Sequence, residues 1–186
     1  MSEENVEVVR QRLAVRPTSR RRLGERLALC FPRAGALFVR AILRLPPRSR
    51  LRRTLVPYSL QLALEAINRG DPEAAFALYP PDCETITNSG LMTLGFDRVY
   101  RGREERLRFQ REWVAELGEF QQEAKEVIDC GDRILLLVRM KGSGLASRAA
   151  FDTDVAYLLT NSGGRPIREQ LFRSHEEALE AAGLTE

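Results

Sequence analysis

Ala66-Ile67-Asn68-Arg69-Gly70-Asp71-Pro72-Glu73-Ala74-Ala75 holds a helix end, a cap and a new helix start within ten residues. Gly70 can take the left-handed conformation that stops a helix. Asp71 can accept backbone N–H groups of the following turn, and Pro72 suits a first helical position, where no N–H is required. Upstream, Leu60, Leu64 and Ile67 recur at helical spacing and predict an amphipathic helix over 58–68. Downstream, a short helix is predicted over 72–79, closed by Pro80-Pro81.

Further out, 83–87 reads as a short strand, followed by a glycine-containing loop to Tyr100 and a helix over 104–117 with Leu107, Trp113 and Leu117 near one face. The last third is β-rich. Segments 122–129, 134–141, 149–160 and 166–173 predict strands, separated by turns at Cys130-Gly131-Asp132, Gly142-Ser143-Gly144 and Asn161-Ser162-Gly163-Gly164. Ser174 with Glu177 forms a capping box for a final helix through Ala182. These elements predict an α+β domain: a cone-shaped curved antiparallel sheet packed on three helices.

Upstream of Pro57 the texture differs. Ser2 can cap a helix carrying Val6, Val9 and Leu13; helices are predicted over 23–31 and 33–45; 48–53 reads as a basic connector. The chain thus divides into 1–56, an N-terminal helix plus an arginine-rich helical insertion, and a cone domain over 57–186.

Charge follows the same division. Residues 1–56 carry 14 arginines and 4 glutamates, whereas 57–186 carry 15 basic and 22 acidic residues, so the net charge of +3 conceals two opposite halves. The 186 residues suffice for one hydrophobic core. No stretch is long and apolar enough to span a bilayer, and the acidic start does not read as a secretory signal, so a cytoplasmic location is expected. Cys30, Cys83 and Cys130 form no CxxC pair, and His175 is the single histidine, which excludes zinc ribbons and multi-histidine metal sites. With phosphate-loop and dinucleotide fingerprints also absent, neither metal nor cofactor is expected.

Residues 66–75, Ala77-Leu78-Tyr79, Asp82, Tyr100-Arg101-Gly102-Arg103-Glu104, Ile128-Asp129-Cys130-Gly131-Asp132-Arg133 and Glu176-Glu177-Ala178-Leu179-Glu180-Ala181-Ala182-Gly183-Leu184, taken in order, resemble the SnoaL-like branch of the nuclear transport factor 2-like superfamily. The opening Ser2-Glu3-Glu4-Asn5-Val6-Glu7-Val8-Val9-Arg10 is similar too. The resemblance implies a cone enclosing a pocket and pairing as a homodimer. It does not imply one reaction, because this fold hosts isomerases, cyclases, hydrolases and binders. In most relatives the opening helix leads directly into the Asn-Arg-Gly-Asp element; here residues 11–55 intervene.

Alternation along 149–160 puts Ala150, Asp152, Asp154, Ala156 and Leu158 on one face, expected to be the pocket face. Laid on the ketosteroid-isomerase pattern, Asp154 matches an inward carboxyl, but the other two functional positions fall at Ala63 and Thr87, neither a tyrosine donor nor a carboxylate base. Asp152, Asp154 and Arg168, with Arg139 nearby, are therefore the candidate catalytic cluster, one carboxylate acting as base and the other as acid on water. Limonene-epoxide hydrolases resemble this in residue types, though not in order along the strands. A structural salt bridge on a strand pair is the competing reading. Candidate ligand contacts are Tyr58, Thr85, Thr87, Phe109, Trp113, Arg139, Gln170 and Phe172.

The expected function is a small-molecule-binding cone, either an isomerase, cyclase or hydrolase of an apolar or polycyclic substrate, or a non-catalytic binding or scaffold dimer. The insertion is first read as a lid or dimer arm whose arginines the acidic body satisfies. Its second reading is a peripheral anchor on an anionic membrane, with Phe38, Ile42 and Leu45 in the headgroup layer and Arg40 and Arg44 on the lipid phosphates. Nucleic-acid binding ranks last, since stacking aromatics are few and lysine is missing from 1–56.

Overall fold

The structure, a computed structural model, describes residues 9–12 (backbone only), 20–87, 99–117, 120–144 and 149–184. Seven strands form one sheet in the order β1-β4-β5-β6-β7-β2-β3. Its centre is an antiparallel meander: β4 (Phe120–Cys130), β5 (Arg133–Ser143), β6 (Ala150–Ser162) and β7 (Arg165–Phe172). Bulges between Ala124 and Glu126 and between Thr160 and Asn161 bend these strands. At the far edge β2 (Glu84–Thr87) runs parallel to β7, and β3 (Val99–Arg101) pairs with β2. The sheet is therefore mixed rather than wholly antiparallel.

Helices α3 (Arg50–Asn68) and α5 (Arg103–Leu117) supply one covering layer. Their inward residues Val56, Leu64, Phe109, Trp113 and Leu117 pack on Val127, Leu136, Val138, Val155, Tyr157 and Leu171 of the sheet. On the opposite face α6 (His175–Ala181) covers Ile128, Leu135, Leu137, Ala156, Leu158 and Phe172 through Ala178 and its neighbour Ala182. The expected cap holds, with Ser174 Oγ accepting the Glu177 N–H at 3.1 Å.

The decisive motif works through side chains as well as turns. Asn68 imitates a neighbouring strand: its Nδ2 donates to Gln122 O and its Oδ1 accepts Gln122 N–H, both at 2.8 Å. Asp71 caps α4 (Pro72–Ala75), which is shorter than the sequence predicts because Phe76 already leaves the helical conformation.

Two N-terminal expectations are corrected. Residues Val9–Arg12 form strand β1, paired with β4, where a helix was predicted; the rest of that predicted helix lies outside the described residues. Residues 50–53 are not a connector but the first turn of α3, which Ser49 caps and which runs unbroken through Pro57. Between them α1 (Leu23–Cys30) and α2 (Pro32–Leu43) appear where the hydrophobic spacing put them.

Part of the basic charge of this segment is paired with carboxylates of the cone. Arg52 uses all five donors: two reach Asp129 at 2.7 Å each, and three reach Leu43 O, Leu45 O and Gly131 O. Arg22 reaches the buried Glu65 at 3.0 Å, Arg69 pairs with the buried Glu25, and Arg21 grips Asp71 at 2.6 and 2.8 Å. That last contact lowers the Asp71 carboxyl below its ordinary range, helped by the Ala74 N–H.

Candidate functional site

On the face covered by α3 and α5, β7 carries a buried carboxylate, Glu169, 3% exposed. Arg106 of α5 donates to it twice, Nε to Oε2 at 2.5 Å and Nη2 to Oε1 at 3.4 Å. Tyr79 OH donates to Oε1 at 3.1 Å and Thr85 Oγ1 to Oε2 at 3.2 Å. Four donors on a carboxylate with about four acceptor positions leave none for a substrate. The guanidinium also donates to Gln110 Oε1 at 3.2 Å and lies 4.0 Å from the Phe76 ring centroid.

Beside this constellation Tyr157 OH donates to Gln122 Oε1 at 3.1 Å. Burial raises the Tyr157 hydroxyl well above its ordinary range. Tyr79 is raised likewise, by burial and then by the neighbouring Glu169 charge. Burial also raises the Cys83 thiol, which favours its neutral form.

The predicted catalytic cluster is not here. Asp152, Asp154, Arg168 and Gln170 share a face with Ala156, Leu158 and Phe172, as alternation requires, but that is the α6 face, opposite the helix-lined interior. Arg139 holds Asp152 at 2.6 and 3.1 Å, and this hydrogen bond lowers the Asp152 carboxyl. Asp154 lies opposite Arg139 in register, 51% exposed at its side chain, with His175 Nε2 at 4.0 Å. Arg168 sits opposite Thr160, six residues along β6 from Asp154, which is about 20 Å. It faces Glu84 at 3.7 Å instead. The Asp152 and Asp154 carboxylates are both about half exposed at their side chains.

Among the predicted ligand contacts, Thr85, Thr87, Phe109 and Trp113 are buried on the interior side. Phe109 packs between Tyr100, tilted at a centroid distance of 4.8 Å, and Trp113, edge-on at 5.2 Å. Phe172 is buried on the α6 side, and Tyr58 is exposed. Sequence reasoning missed the Arg106–Glu169 pair. Its signal was present: Arg106 falls on the buried stripe of α5 with Phe109, Gln110 and Trp113, and Glu169 alternates against Arg168 and Gln170.

Strand register reveals a second missed feature. Phe120, Gly142 and Phe151 form one row across β4, β5 and β6, and both phenylalanines pack against the interior core. The next row is Gln122, Met140 and Thr153. Two clefts lie elsewhere, against α2. One of about 490 Å³ is lined by Arg33, Leu37, Arg40, Asp82, Arg165 and Ile167 among others, and one of about 200 Å³ borders the two hairpin turns. Among the described residues no group of three or more His, Cys, Asp or Glu could hold a metal ion.

This architecture is that of the nuclear transport factor 2-like α+β cone. The chain matches the SnoaL-like domain over residues 60–169 and belongs to that family. No curated protein matches it. Among solved structures it resembles an NTF2-like protein of unknown function from Burkholderia pseudomallei, with 19% identity, a TM-score of 0.58, and 66% of this chain and 93% of that one covered. It is also similar to TerC, co-crystallized with polyporic acid, with 19% identity, a TM-score of 0.56 and coverages of 66% and 96%. A hypothetical protein with a ketosteroid isomerase-like fold from Catenulispora acidiphila, in complex with trimethylamine, gives 18% identity, a TM-score of 0.55 and coverages of 69% and 95%. Helices α1 and α2 precede the residues matched to the family.

Proposed function

We propose that this chain is a SnoaL-like binding module that holds a small, flat, apolar molecule and performs no proton transfer on it. The saturation of Glu169 by Arg106, Tyr79 and Thr85 carries the reading: the interior carboxylate has no lone pair left for a substrate. The ligand sits at the Phe120–Gly142–Phe151 row. Residues two strands apart are separated by about 9.5 Å, and the glycine between them adds no side chain to that gap. One flat ring fits between two phenyl groups so spaced, with Met140 and Thr153 in the next row behind it. The polyporic acid co-crystallized with TerC is in keeping with such a ligand in this fold.

The test is turnover. The purified chain and its Asp154→Asn and Glu169→Gln variants are incubated with a panel of epoxides and polycyclic ketones, and products are measured by mass spectrometry. No substrate should be consumed faster than in buffer. Consumption by the folded parent chain above the buffer rate overturns the reading, and its loss in Asp154→Asn at an unchanged melting temperature would assign the chemistry to that carboxylate.

A further inference from the structure

The inserted segment carries a surface that the cone does not use. Ten large hydrophobic side chains are exposed among the described residues, and six of them, Leu23, Leu27, Phe31, Leu37, Phe38 and Leu51, fall within residues 20–56. Those on α1 and α2 follow helical spacing. Leu23 and Leu27 continue to Phe31 at four-residue intervals, and on α2 Leu37 and Phe38, 64% and 58% exposed, lie with Ala34 and Ala41 on one stripe. The other side of α2 is anchored in the protein through Ala36 and Ile42. Ile42 and Leu45, expected from the sequence to face a membrane, belong to the core instead.

Charge accompanies the apolar stripe. Residues 20–56 contain eleven arginines and one acid, Glu25, which is buried against Arg69. Arg33 and Arg40 flank the α2 stripe and, with Arg165 from the β6–β7 hairpin, line the cleft of about 490 Å³ into which Leu37 also projects. None of these three has an ion-pair partner among the described residues, whereas Arg21, Arg22 and Arg52 are paired.

We infer that α1 and α2 form a docking surface for an anionic lipid bilayer: Leu23, Leu27, Leu37 and Phe38 enter the headgroup boundary while Arg33, Arg40 and Arg165 receive lipid phosphates in the cleft. Charge complementarity selects this occupant. A second copy of the chain would bring one arginine-rich face against another, with Asp82 the one acid among the residues lining the cleft to answer it. A nucleic acid would leave the leucines without a partner. No described helix is long and apolar enough to cross a membrane, so the contact is peripheral. The inference is independent of what the cone holds.

Co-sedimentation of the full chain with vesicles tests it. The chain should sediment with vesicles of equal parts phosphatidylglycerol and phosphatidylcholine, and not with phosphatidylcholine alone. Each basic residue at an anionic surface is worth about fivefold in affinity, so Arg33→Gln with Arg40→Gln should weaken binding about 30-fold. Leu37→Ser with Phe38→Ser should weaken it about tenfold or more, and because these side chains are exposed, both double variants should keep the parent melting temperature. Failure to sediment with the anionic vesicles overturns the inference, as does binding that neither double variant reduces. A dimer dispersed by Leu37→Ser with Phe38→Ser, in a chain that ignores vesicles, would assign the face to self-association. Retention on duplex DNA that depends on Arg33 and Arg40 alone, again without vesicle binding, would assign it to nucleic acid.

Discussion

Arg106 of α5 and Glu169 of β7, 63 residues apart, form a bidentate ion pair in which both side chains are almost sealed from water. Burial opposes the charge on Arg106, but the adjacent Glu169 outweighs it and the guanidinium is more firmly protonated than in water. Removing one member strands the other. Glu169→Gln should therefore destabilise the fold by about 3–5 kcal/mol, whereas Arg106→Met combined with Glu169→Leu should cost much less, because no uncompensated charge remains. Denaturant unfolding of the parent and the two variants checks this. A double variant no better than Glu169→Gln would mean that the hydrogen bonds to Tyr79, Thr85 and Gln110 dominate the pair.

Tyr79 and Tyr157 give a pH signature to the same interior. Both hydroxyls are raised above the ordinary tyrosine range, chiefly by burial. An unfolded chain ionises its tyrosines near pH ~10, so their contribution to stability is complete below that pH and declines as pH rises above it. Absorbance titration of the phenolate should show these two silent near pH ~10 and appearing only as the fold is lost. Tyr79→Phe with Tyr157→Phe should leave the titration step near the ordinary tyrosine pKa unchanged.

The β6–β7 hairpin separates two adjacent glycines. Gly163 and Gly164 both have positive φ, +59° and +79°, as a two-residue turn of this hand demands. A Cβ on Gly163 meets nothing within 4 Å, whereas one on Gly164 would come within 2.2 Å of Ala36 O and 2.4 Å of Arg40 N. Gly163→Ala should cost about 1–2 kcal/mol, the ordinary left-handed penalty. Gly164→Ala should cost more and push α2 off the sheet, read as faster amide exchange across α2. Equal effects would mean that α2 yields without resistance.

Arg52 and Asp129 clamp the inserted segment onto the cone by joining the start of α3 to the β4–β5 turn and to the last carbonyls of α2. Arg52→Met leaves Asp129 buried without its cation and Leu43 O without its donor. The expected loss is about 3–5 kcal/mol, together with faster proteolytic cleavage in 44–49. Cleavage at the parent rate would show that apolar packing of Ile42 and Leu45 holds the segment by itself.

The fold was legible because its signals were local. The Ser174 cap, the glycine turns and the apolar runs of β4 to β7 each determine their own neighbourhood. The site was less so. Asp152 and Asp154 do share one face of β6, but it is the α6 face and not the expected pocket face; Val155, Ala156, Tyr157, Leu158 and Leu159 are all buried, because α6 covers one side and α3 and α5 the other. With both faces apolar, alternation separates two sets without saying which is the interior. The start of α3 was missed because a basic run and Pro57 read as a linker; Ser49 and the burial of Arg52, Val56 and Pro57 make it helix.

Native mass spectrometry of the full chain beside its Gly142→Leu variant tests the binding account most directly. A leucine between Phe120 and Phe151 fills the gap proposed for the ligand while leaving the Glu169 constellation untouched. The parent should carry a small non-covalent adduct, lost on denaturation and absent from Gly142→Leu. A parent spectrum without adduct even after incubation with flat aromatic compounds, or an adduct that Gly142→Leu retains at full intensity, would contradict it.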